Sequence, residues 1–417
     1  MDAPPEREGR LMAFEEARKS LAALPAVNVE RMRLERLQRL QNELQARDLG
    51  AMLLYDPVNV RYATDCRSMQ IWTMHNSARY CLVPADGKAI MFDFLNSENL
   101  SDGLETIGET RPGTLWFSHA AGPRRASLIE KWADELASLI RERCGNNRII
   151  IDRLDADGRS ALERRGIDVG FGQDVIEQAR RIKTVDEQKA QAHSALVCET
   201  ALKNMHEQTE PGVSENELWA TLVHVNAALG GDYIETRLVV SGTKTNPWLS
   251  EASERQIQAG ELLGIDTDMV GPCGYNTDIS RTWLCHPGKP SKEQKTLYKL
   301  SFEQIHHNMW LLRAGLSFRE FSQRSWKVPE RYSERDFGVL PHGIGMCNEY
   351  PVVPAPHLFN QAVYDGHFEE NMTVSLESYI AEAGTKNGVK LEEMVRITAT
   401  GTELVAAYPF EDELLAD

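Results

Sequence analysis

The sequence has no apolar run that approaches the roughly 20 residues needed for a helix to cross a bilayer. Its first ten residues are acidic and contain proline, so they lack the apolar core of a signal peptide. Basic residues are also few, because Lys and Arg total 46 against 62 Asp and Glu, a formal net charge of -16. Such a charge repels nucleic acid and anionic lipid. We therefore expect a cytoplasmic protein with no nucleic-acid or membrane partner.

The seven cysteines are odd in number, widely scattered, and form no CxxC pair. This pattern favours reduced thiols. Reduced thiols are typical of cytosolic proteins.

At 417 residues and 42% hydrophobic, the chain is too long for one ordinary core, and two domains are expected. Short apolar runs alternate with helix-like segments in the first part, which predicts a layered α/β domain over 1–182. Thr184 and Glu187 then form a capping box ahead of a long helix running to about Gln208. We place the second domain at 183–417.

Two more capping boxes, Ser214/Glu217 and Ser291/Gln294, predict two further helices in the second half. Extended runs are predicted there as well: Arg237 to Ser241, Leu262 to Thr267, Thr277 to Leu284, Met372 to Tyr379, and Lys390 to Ile397. The second domain is therefore predicted to be α+β.

Acidic residues interrupt two of these apolar runs. Asp266 and Asp268 have the period-two spacing that points both side chains to one face of a strand. The segment 271–275 suits a hairpin turn, which would return Asp278 beside them. Three carboxylates at close quarters raise one another's pKa and resist ionisation unless cations hold them together.

Three more residues in apolar surroundings supply what a cation site needs: His342, Glu377 and Glu392. At least five oxygen ligands and one imidazole suit Mn, Fe, Co or Zn, bound as a carboxylate-bridged pair. Any one of these acids is equally well explained as a solvated strand residue or an ion-pair partner. All of them together in apolar strands favour a metal site.

In this order, Asp266, Asp278, His342, Glu377 and Glu392 resemble the five metal ligands of the pita-bread metallohydrolases. That superfamily includes methionine aminopeptidase, aminopeptidase P, prolidase and creatinase. The segment 182–187 resembles the join between their two domains. The resemblance implies a creatinase-type α/β N-terminal domain, a C-terminal pita-bread (creatinase/aminopeptidase) domain and two divalent transition-metal ions.

Within the superfamily, the chain most resembles the metal-dependent dimethylsulfoniopropionate (DMSP) lyases. The matching segments are 55–65, Trp72 with His75-Asn76, 234–238, 245–248 and 266–268. In that branch Asp268 would be a sixth ligand, and iron is the implied metal, with manganese or zinc as alternatives. The substrate-binding candidates in or beside these segments and the His342 segment are Trp72, His75, Tyr233, Trp248 and Tyr350. Aromatic faces attract sulfonium groups, although each ring could equally serve in packing.

Two departures bear on the reaction. The peptidases carry a His where this chain has Trp248, which disfavours peptide hydrolysis. The lyase branch carries an Asp, its proposed general base, where this chain has Asn348, and an amide has no useful basicity near neutral pH. Glu349 is the competing candidate for the catalytic base, although its side chain should point away from that of Asn348 in an extended segment.

Three hypotheses follow. The first is a lyase that cleaves the small zwitterion DMSP to dimethyl sulfide and acrylate. The second is a hydrolase of a creatine-like or Xaa-Pro C–N bond. The third is a metal-binding homologue without catalysis. The resemblance also implies a homodimer in which the segment 72–76 of one subunit borders the partner's metal cleft.

Overall fold

The computed structural model describes residues 5–362 and 364–417. The chain forms two compact units, of which one is Asn28–Arg180 and the other is Arg181–Asp417 together with the N-terminal residues. Helix α1 (Pro5–Ala23) therefore belongs to the second unit, whereas the predicted boundary placed it in the first domain. The ring of Phe14 lies 5.4 Å from that of His224, and Ala17 is buried in the core of the second unit.

The N-terminal unit is a layered α/β structure. Its helices are α2 (Val29–Ala46), α3 (Pro57–Thr64), α4 (Gln70–His75), α5 (Ser118–Ala121), α6 (Arg125–Arg143), α7 (Ala156–Glu163) and α8 (Gln173–Arg180). Its strands are β1 (Ala51–Leu54), β2 (Tyr80–Pro84), β3 (Ala89–Asp93), β4 (Ile107–Pro112), β5 (Arg148–Ile151) and β6 (Asp168–Phe171). They form one mixed sheet in the order β4-β3-β2-β1-β5-β6.

The second unit is α+β. Its further helices are α9 (Val185–Glu207), α10 (Glu215–Ala228), α11 (Lys292–Leu311), α12 (Phe318–Arg324), α13 (Phe359–Ala362) and α14 (Asp412–Leu415). Its strands are β7 (Tyr233–Ile234), β8 (Val239–Ser241), β9 (Leu262–Asp266), β10 (Met269–Val270), β11 (Asn276–Thr277), β12 (Ser280–Leu284), β13 (Val339–Ile344), β14 (Asn348–Pro354), β15 (Thr373–Ala381), β16 (Gly388–Ile397) and β17 (Thr402–Leu404). Among the described residues, none of the helices is long and apolar enough to cross a bilayer.

Three sheets organise these strands, in the orders β12-β9-β8, β11-β10-β7 and β14-β13-β15-β16-β17. The long helix α11 packs its apolar face against β15 and β16, and α9 and α10 share a second core with β9 and β12. The three predicted capping boxes are confirmed, since Thr184, Ser214 and Ser291 each cap a helix with reciprocal side-chain and backbone hydrogen bonds.

A buried guanidinium fastens two of these strands to the C-terminal segment. Arg281 on β12 donates to the carbonyl oxygens of Glu392 (2.7 Å) and Tyr408, and to the carboxylate of Glu393 (2.6 Å). Its guanidinium carbon also lies 4.4 Å from the centre of the Phe410 ring. The side chain is 1% exposed, so these contacts replace its entire hydration.

We therefore expect Arg281→Ala to lower the free energy of unfolding by about 3 to 5 kcal/mol, because it leaves the buried carboxylate of Glu393 without its partner. Chemical denaturation measures the loss. The matched control is Arg396→Ala on β16, whose partner Glu403 is 60% exposed, and which should cost about 1 kcal/mol or less. Equal losses in the two variants would contradict this account.

Candidate metal centre

Three of the predicted ligands come from one interrupted hairpin. Strands β9 and β12 pair up to Asp266 and Ser280, and β10 and β11 then pair from Met269 and Thr277. Between the two ladders the chain leaves the strand geometry, and Asp268 takes a left-handed backbone conformation (φ 34°). Carboxylate oxygens of Asp266, Asp268 and Asp278 all lie within 4.8 Å of one another as a result.

A threonine bridges this break. The hydroxyl of Thr267 donates to the carbonyl oxygen of Thr277 (2.9 Å) and accepts from the backbone N–H of Ile279 (3.1 Å). Asp268 is oriented in turn by the hydroxyl of Thr236, which donates to its Oδ2 at 2.7 Å. The backbone carbonyl of Thr277 and the backbone N–H of Ile279 are thus satisfied at the strand break.

The other three predicted ligands come from neighbouring strands of the five-stranded sheet. Glu377 on β15 is directly opposite Glu392 on β16. His342 on β13 is opposite Ser375, two residues before Glu377 on the same face. The Nε2 atom of His342 lies 3.5 Å from Asp278 Oδ2, from Glu377 Oε1 and from Glu392 Oε1. The structure therefore brings all six side chains into one centre.

The residues present fit a group of divalent cations. Two sets of ligand atoms converge closely enough to share an ion: Asp278, His342 and Glu392, and Asp266, Asp268 and Asp278. All of these residues are buried. Within the described part of the chain, the Oδ1 atoms of Asp266 and Asp278 are buried and have no hydrogen-bond partner. Buried carboxylate oxygens in that condition are stabilised by metal coordination.

The pKa values of the centre, with no cation bound, show that burial and mutual repulsion oppose the ionisation of its acids. Burial, and then repulsion from Asp268 and the other acids, raises the pKa of Asp278 well above its usual value. Burial and the charge of Glu377 raise the pKa of Glu392 to about 8. Burial opposes a charge on His342, but hydrogen bonds to Glu377 and Glu392 outweigh it and hold the pKa of the imidazole well above its usual range.

One residue in the centre was not predicted from the sequence. Lys390 lies on β16 two residues before Glu392, and its side chain is completely buried. Its ammonium nitrogen lies 2.5 Å from Glu377 Oε2 and 3.3 Å from oxygens of Asp266 and Glu392. The signal was present in the sequence, since a lysine between Val389 and Leu391 shares the buried face of Glu392.

Of the substrate-binding candidates, Trp248 lies beside the centre. Its indole ring is 5.8 Å from the Lys390 nitrogen and 6.4 Å from the ring of Tyr379. The ring packs over Gly264 of β9, where a Cβ would approach it to 2.9 Å. The glycine in that strand is therefore needed for the tryptophan to reach this position.

The remaining candidates are more dispersed. Tyr233 is half-buried on β7, opposite Val270. Tyr350 on β14 stacks on Tyr364 at a centroid distance of 5.4 Å. Trp72 and His75 lie on α4 of the N-terminal unit, where the ring of Trp72 faces Phe94 and Phe117.

The two candidate bases differ in their surroundings. Asn348 is exposed at the start of β14, opposite Ile344. Glu349 is buried and opposite Gly343, with its carboxylate paired to the ammonium of Lys183. The side chains of this ion pair are each 1% exposed.

Comparison with known proteins places this geometry in a family. The chain matches the model of metallopeptidase family M24 over residues 189–399 and that of the creatinase/prolidase N-terminal domain over residues 36–186. It is 36% identical to "Dimethylsulfoniopropionate lyase DddP" of Roseovarius nubinhibens over 97% of this chain and 92% of that protein. It is 35% identical to the protein of the same name from Roseobacter denitrificans, over 97% of this chain and 91% of that protein.

Among solved structures, the Xaa-Pro dipeptidase from Bacillus anthracis superposes with a TM-score of 0.73 at 23% identity, covering 91% of this chain and 98% of that one. The prolidase from Pyrococcus horikoshii OT3 superposes with a TM-score of 0.71 at 19% identity, covering 90% of this chain and 99% of that one. These likenesses establish the fold. The predicted combination of a creatinase-type N-terminal domain with a pita-bread domain is confirmed, and this family fold implies divalent metal ions.

The raised pKa values predict how stability depends on pH. Groups whose pKa is higher in the folded protein stabilise it at low pH, and this contribution is lost as pH rises through the folded pKa, about 8 for Glu392. Metal-free protein should therefore lose stability from pH 6 to pH 9, whereas bound cations compensate the ionised acids. The gap between the melting temperatures of Mn²⁺-loaded and chelator-treated protein should widen over this range. A gap that is constant or absent would contradict the assignment.

Proposed function

We propose that this chain, which belongs to metallopeptidase family M24, is a metal-dependent carbon–sulfur lyase that cleaves DMSP to dimethyl sulfide and acrylate. The observation that carries the proposal is the similarity of nearly the whole chain to two proteins named as DMSP lyases. The prolidase-like structures are less than 25% identical and support the fold rather than the substrate. The alternative is a hydrolase of a small C–N substrate.

Two features of the centre favour elimination over hydrolysis. Asp268 adds a third aspartate to the hairpin cluster, as the resemblance to the lyase branch implies, and the peptidases lack it. Trp248 occupies the position at which the peptidases carry a histidine that moves protons during hydrolysis. An indole cannot move protons in this way, but its face can hold a cation.

In the proposed reaction a base removes the α-proton of DMSP, the electrons form the C=C bond of acrylate, and the C–S electrons leave with dimethyl sulfide. The ions would be held by Asp266, Asp268, Asp278, His342, Glu377 and Glu392. When bound, they would supply positive charge that stabilises the substrate carboxylate as the carbanion character develops. Trp248, whose ring lies 5.8 Å from the Lys390 nitrogen, would place an apolar face beside the reacting groups.

Neither candidate for the base that removes the α-proton is well suited to this step. Asn348 carries an amide, and the carboxylate of Glu349 is buried against the ammonium of Lys183. We infer that Glu349 holds β14 against Lys183, which precedes helix α9, and does not transfer a proton. The parent protein should then turn over DMSP slowly. The third hypothesis, a metal-binding homologue without catalysis, is therefore included in the assay below.

One assay separates the three functions. Metal-loaded protein is incubated separately with DMSP, creatine and an Xaa-Pro dipeptide, and both headspace dimethyl sulfide and released amine are measured. We expect dimethyl sulfide from DMSP and no release from the other two. Amine release without dimethyl sulfide would favour the hydrolase, and no product from any substrate would favour the binding protein.

Asn348→Asp should raise the rate of dimethyl sulfide release about 10² to 10⁴-fold, because it places an ionisable carboxylate at the position of the lyase base. Glu349→Gln is the comparison variant. It should lower stability by breaking the pair with Lys183, and rate changes should be compared at equal metal content and below the melting temperature. If Asn348→Asp has no effect while Glu349→Gln abolishes release from folded protein, Glu349 is the base.

We also propose a cytoplasmic homodimer that uses iron, with manganese or zinc as alternatives. The seven cysteines, all in the described part of the chain, form no disulfide bond, which is consistent with a reducing compartment. The N-terminal unit exposes an apolar patch around Ile71 and Trp72, which are 54% and 40% exposed, and such patches mark interaction sites.

Ile71→Glu should therefore weaken the dimer, because it places a charge in the proposed contact. The mass by light scattering at micromolar concentration should fall toward that of one chain. The matched control is Leu404→Glu in the other unit, where the leucine is 52% exposed, and it should leave the mass unchanged. A monomeric parent would contradict the proposal.

A further inference from the structure

We infer that Lys390 is a positioning residue of the metal centre, whose ammonium fixes the carboxylates of the metal ligands before any ion arrives. The inference rests on the proposed ligand set but not on the identity of the substrate. Lys390 belongs to β16, the strand that also carries Glu392, so its position is set by the same sheet.

The ammonium and the imidazole divide the carboxylate oxygens between them. Glu377 places Oε2 at 2.5 Å from the Lys390 nitrogen and Oε1 at 3.5 Å from His342 Nε2. Glu392 does the same, with Oε2 at 3.3 Å from Lys390 and Oε1 at 3.5 Å from His342. Each glutamate is therefore held by one oxygen on the lysine side, and the other oxygen is directed toward the side of the centre that His342 occupies.

A serine strengthens this arrangement. The ammonium donates to Ser280 Oγ at 2.8 Å, and that hydroxyl donates to Glu392 Oε2 at 2.7 Å. The ammonium also donates to Asp266 Oδ2 at 3.3 Å, which leaves Asp266 Oδ1 without a hydrogen-bond partner among the described residues. Lys390 thus contacts one carboxylate oxygen each of Asp266, Glu377 and Glu392. The second oxygen of each carboxylate is left available to a metal ion.

Aromatic rings close the other side of the ammonium. Its nitrogen lies 5.8 Å from the centre of the Trp248 ring and 5.4 Å from that of Phe337. The side chain is completely buried, so water does not compete for the three N–H donors. Ion pairs in such surroundings are stronger than in water, provided that the geometry satisfies both partners.

The charges also balance with Lys390 included. The five acids of the centre carry five negative charges when ionised, and the ammonium of Lys390 leaves four, which two divalent ions neutralise. Without the lysine, the acids that it contacts would repel one another and turn away from the centre. Partners that hold metal ligands in this way contribute about 10- to 100-fold to metal affinity.

The test measures Mn²⁺ binding rather than activity. Chelator-treated parent, Lys390→Met, Lys390→Arg and Ser280→Ala are dialysed against a series of Mn²⁺ concentrations, and bound metal is determined by elemental analysis. We expect Lys390→Met to raise the dissociation constant about 10- to 100-fold, Ser280→Ala to raise it less, and Lys390→Arg to recover part of the loss.

Lys244→Met is the matched control. Lys244 pairs with Glu215, a buried acid outside the centre, so its loss should lower the melting temperature and leave Mn²⁺ affinity at the parent value. This separates positioning from general stabilisation, because a merely structural lysine at 390 would behave like Lys244.

Unchanged or tighter Mn²⁺ binding by Lys390→Met would overturn the inference and leave the ligand set intact. If Lys390→Met does not fold, the milder Ser280→Ala and Lys390→Arg decide the question, and parent affinity in both would overturn the inference. A parent that binds no Mn²⁺ would overturn the ligand set and the inference together.

Discussion

Mutual repulsion among five buried carboxylates is the constraint on which the architecture of the second unit depends. Burying even one ionised acid costs several kcal/mol, and here five converge with one imidazole and one ammonium. The strands hold these acids in place because their backbone hydrogen bonds and apolar cores outweigh the repulsion. The second unit is thus organised around a cluster of negative charge, which fits the divalent metal ions that the family fold implies.

Two separate substructures provide the ligands, and their connection decides the geometry of the centre. The broken hairpin provides the aspartates, and the five-stranded sheet provides His342 and the glutamates. The two are tied by Arg281, which links β12 to β16, and by the hydroxyl of Ser375, which donates to the backbone carbonyl of Asp278 at 2.9 Å. Neither substructure holds a complete ligand set, so the centre exists only when the two are docked.

The fold itself does not decide the reaction. Bound divalent cations can polarise a peptide carbonyl for hydrolysis or stabilise the negative charge that develops in an elimination, so the same scaffold can host either reaction. Under the proposed function, the difference between the two reactions would lie in a few side chains: Trp248, Asp268 and Asn348. Trp248 depends on the bare backbone of Gly264 beneath its ring, so this candidate for substrate binding is supported by β9, the strand that also carries Asp266.

Much of this organisation was predictable from local patterns. The capping boxes began α9, α10 and α11 where expected, because reciprocal hydrogen bonds at a helix start involve only residues three apart. Strand β4 (IGETRP) escaped prediction because a strand at the edge of a sheet needs little apolar alternation. Asp56 caps α3, and Pro57 is the first helical residue, a local signal of a helix start that the sequence also contains.

The sequence by itself determined the chemical content of the site: five carboxylates and one imidazole in or beside apolar strands, five of these six residues in the order of the pita-bread metal ligands. Only the tertiary structure decided that Lys390 joins them, that Glu349 is bound by Lys183, and that α1 packs on the second unit. The physical reason is that local patterns record which side chains share a face, whereas ion pairing and helix docking depend on distances between segments far apart in the chain. Lys390 and Asp266 are 124 residues apart, and only the packing of β16 against β9 brings their charges together.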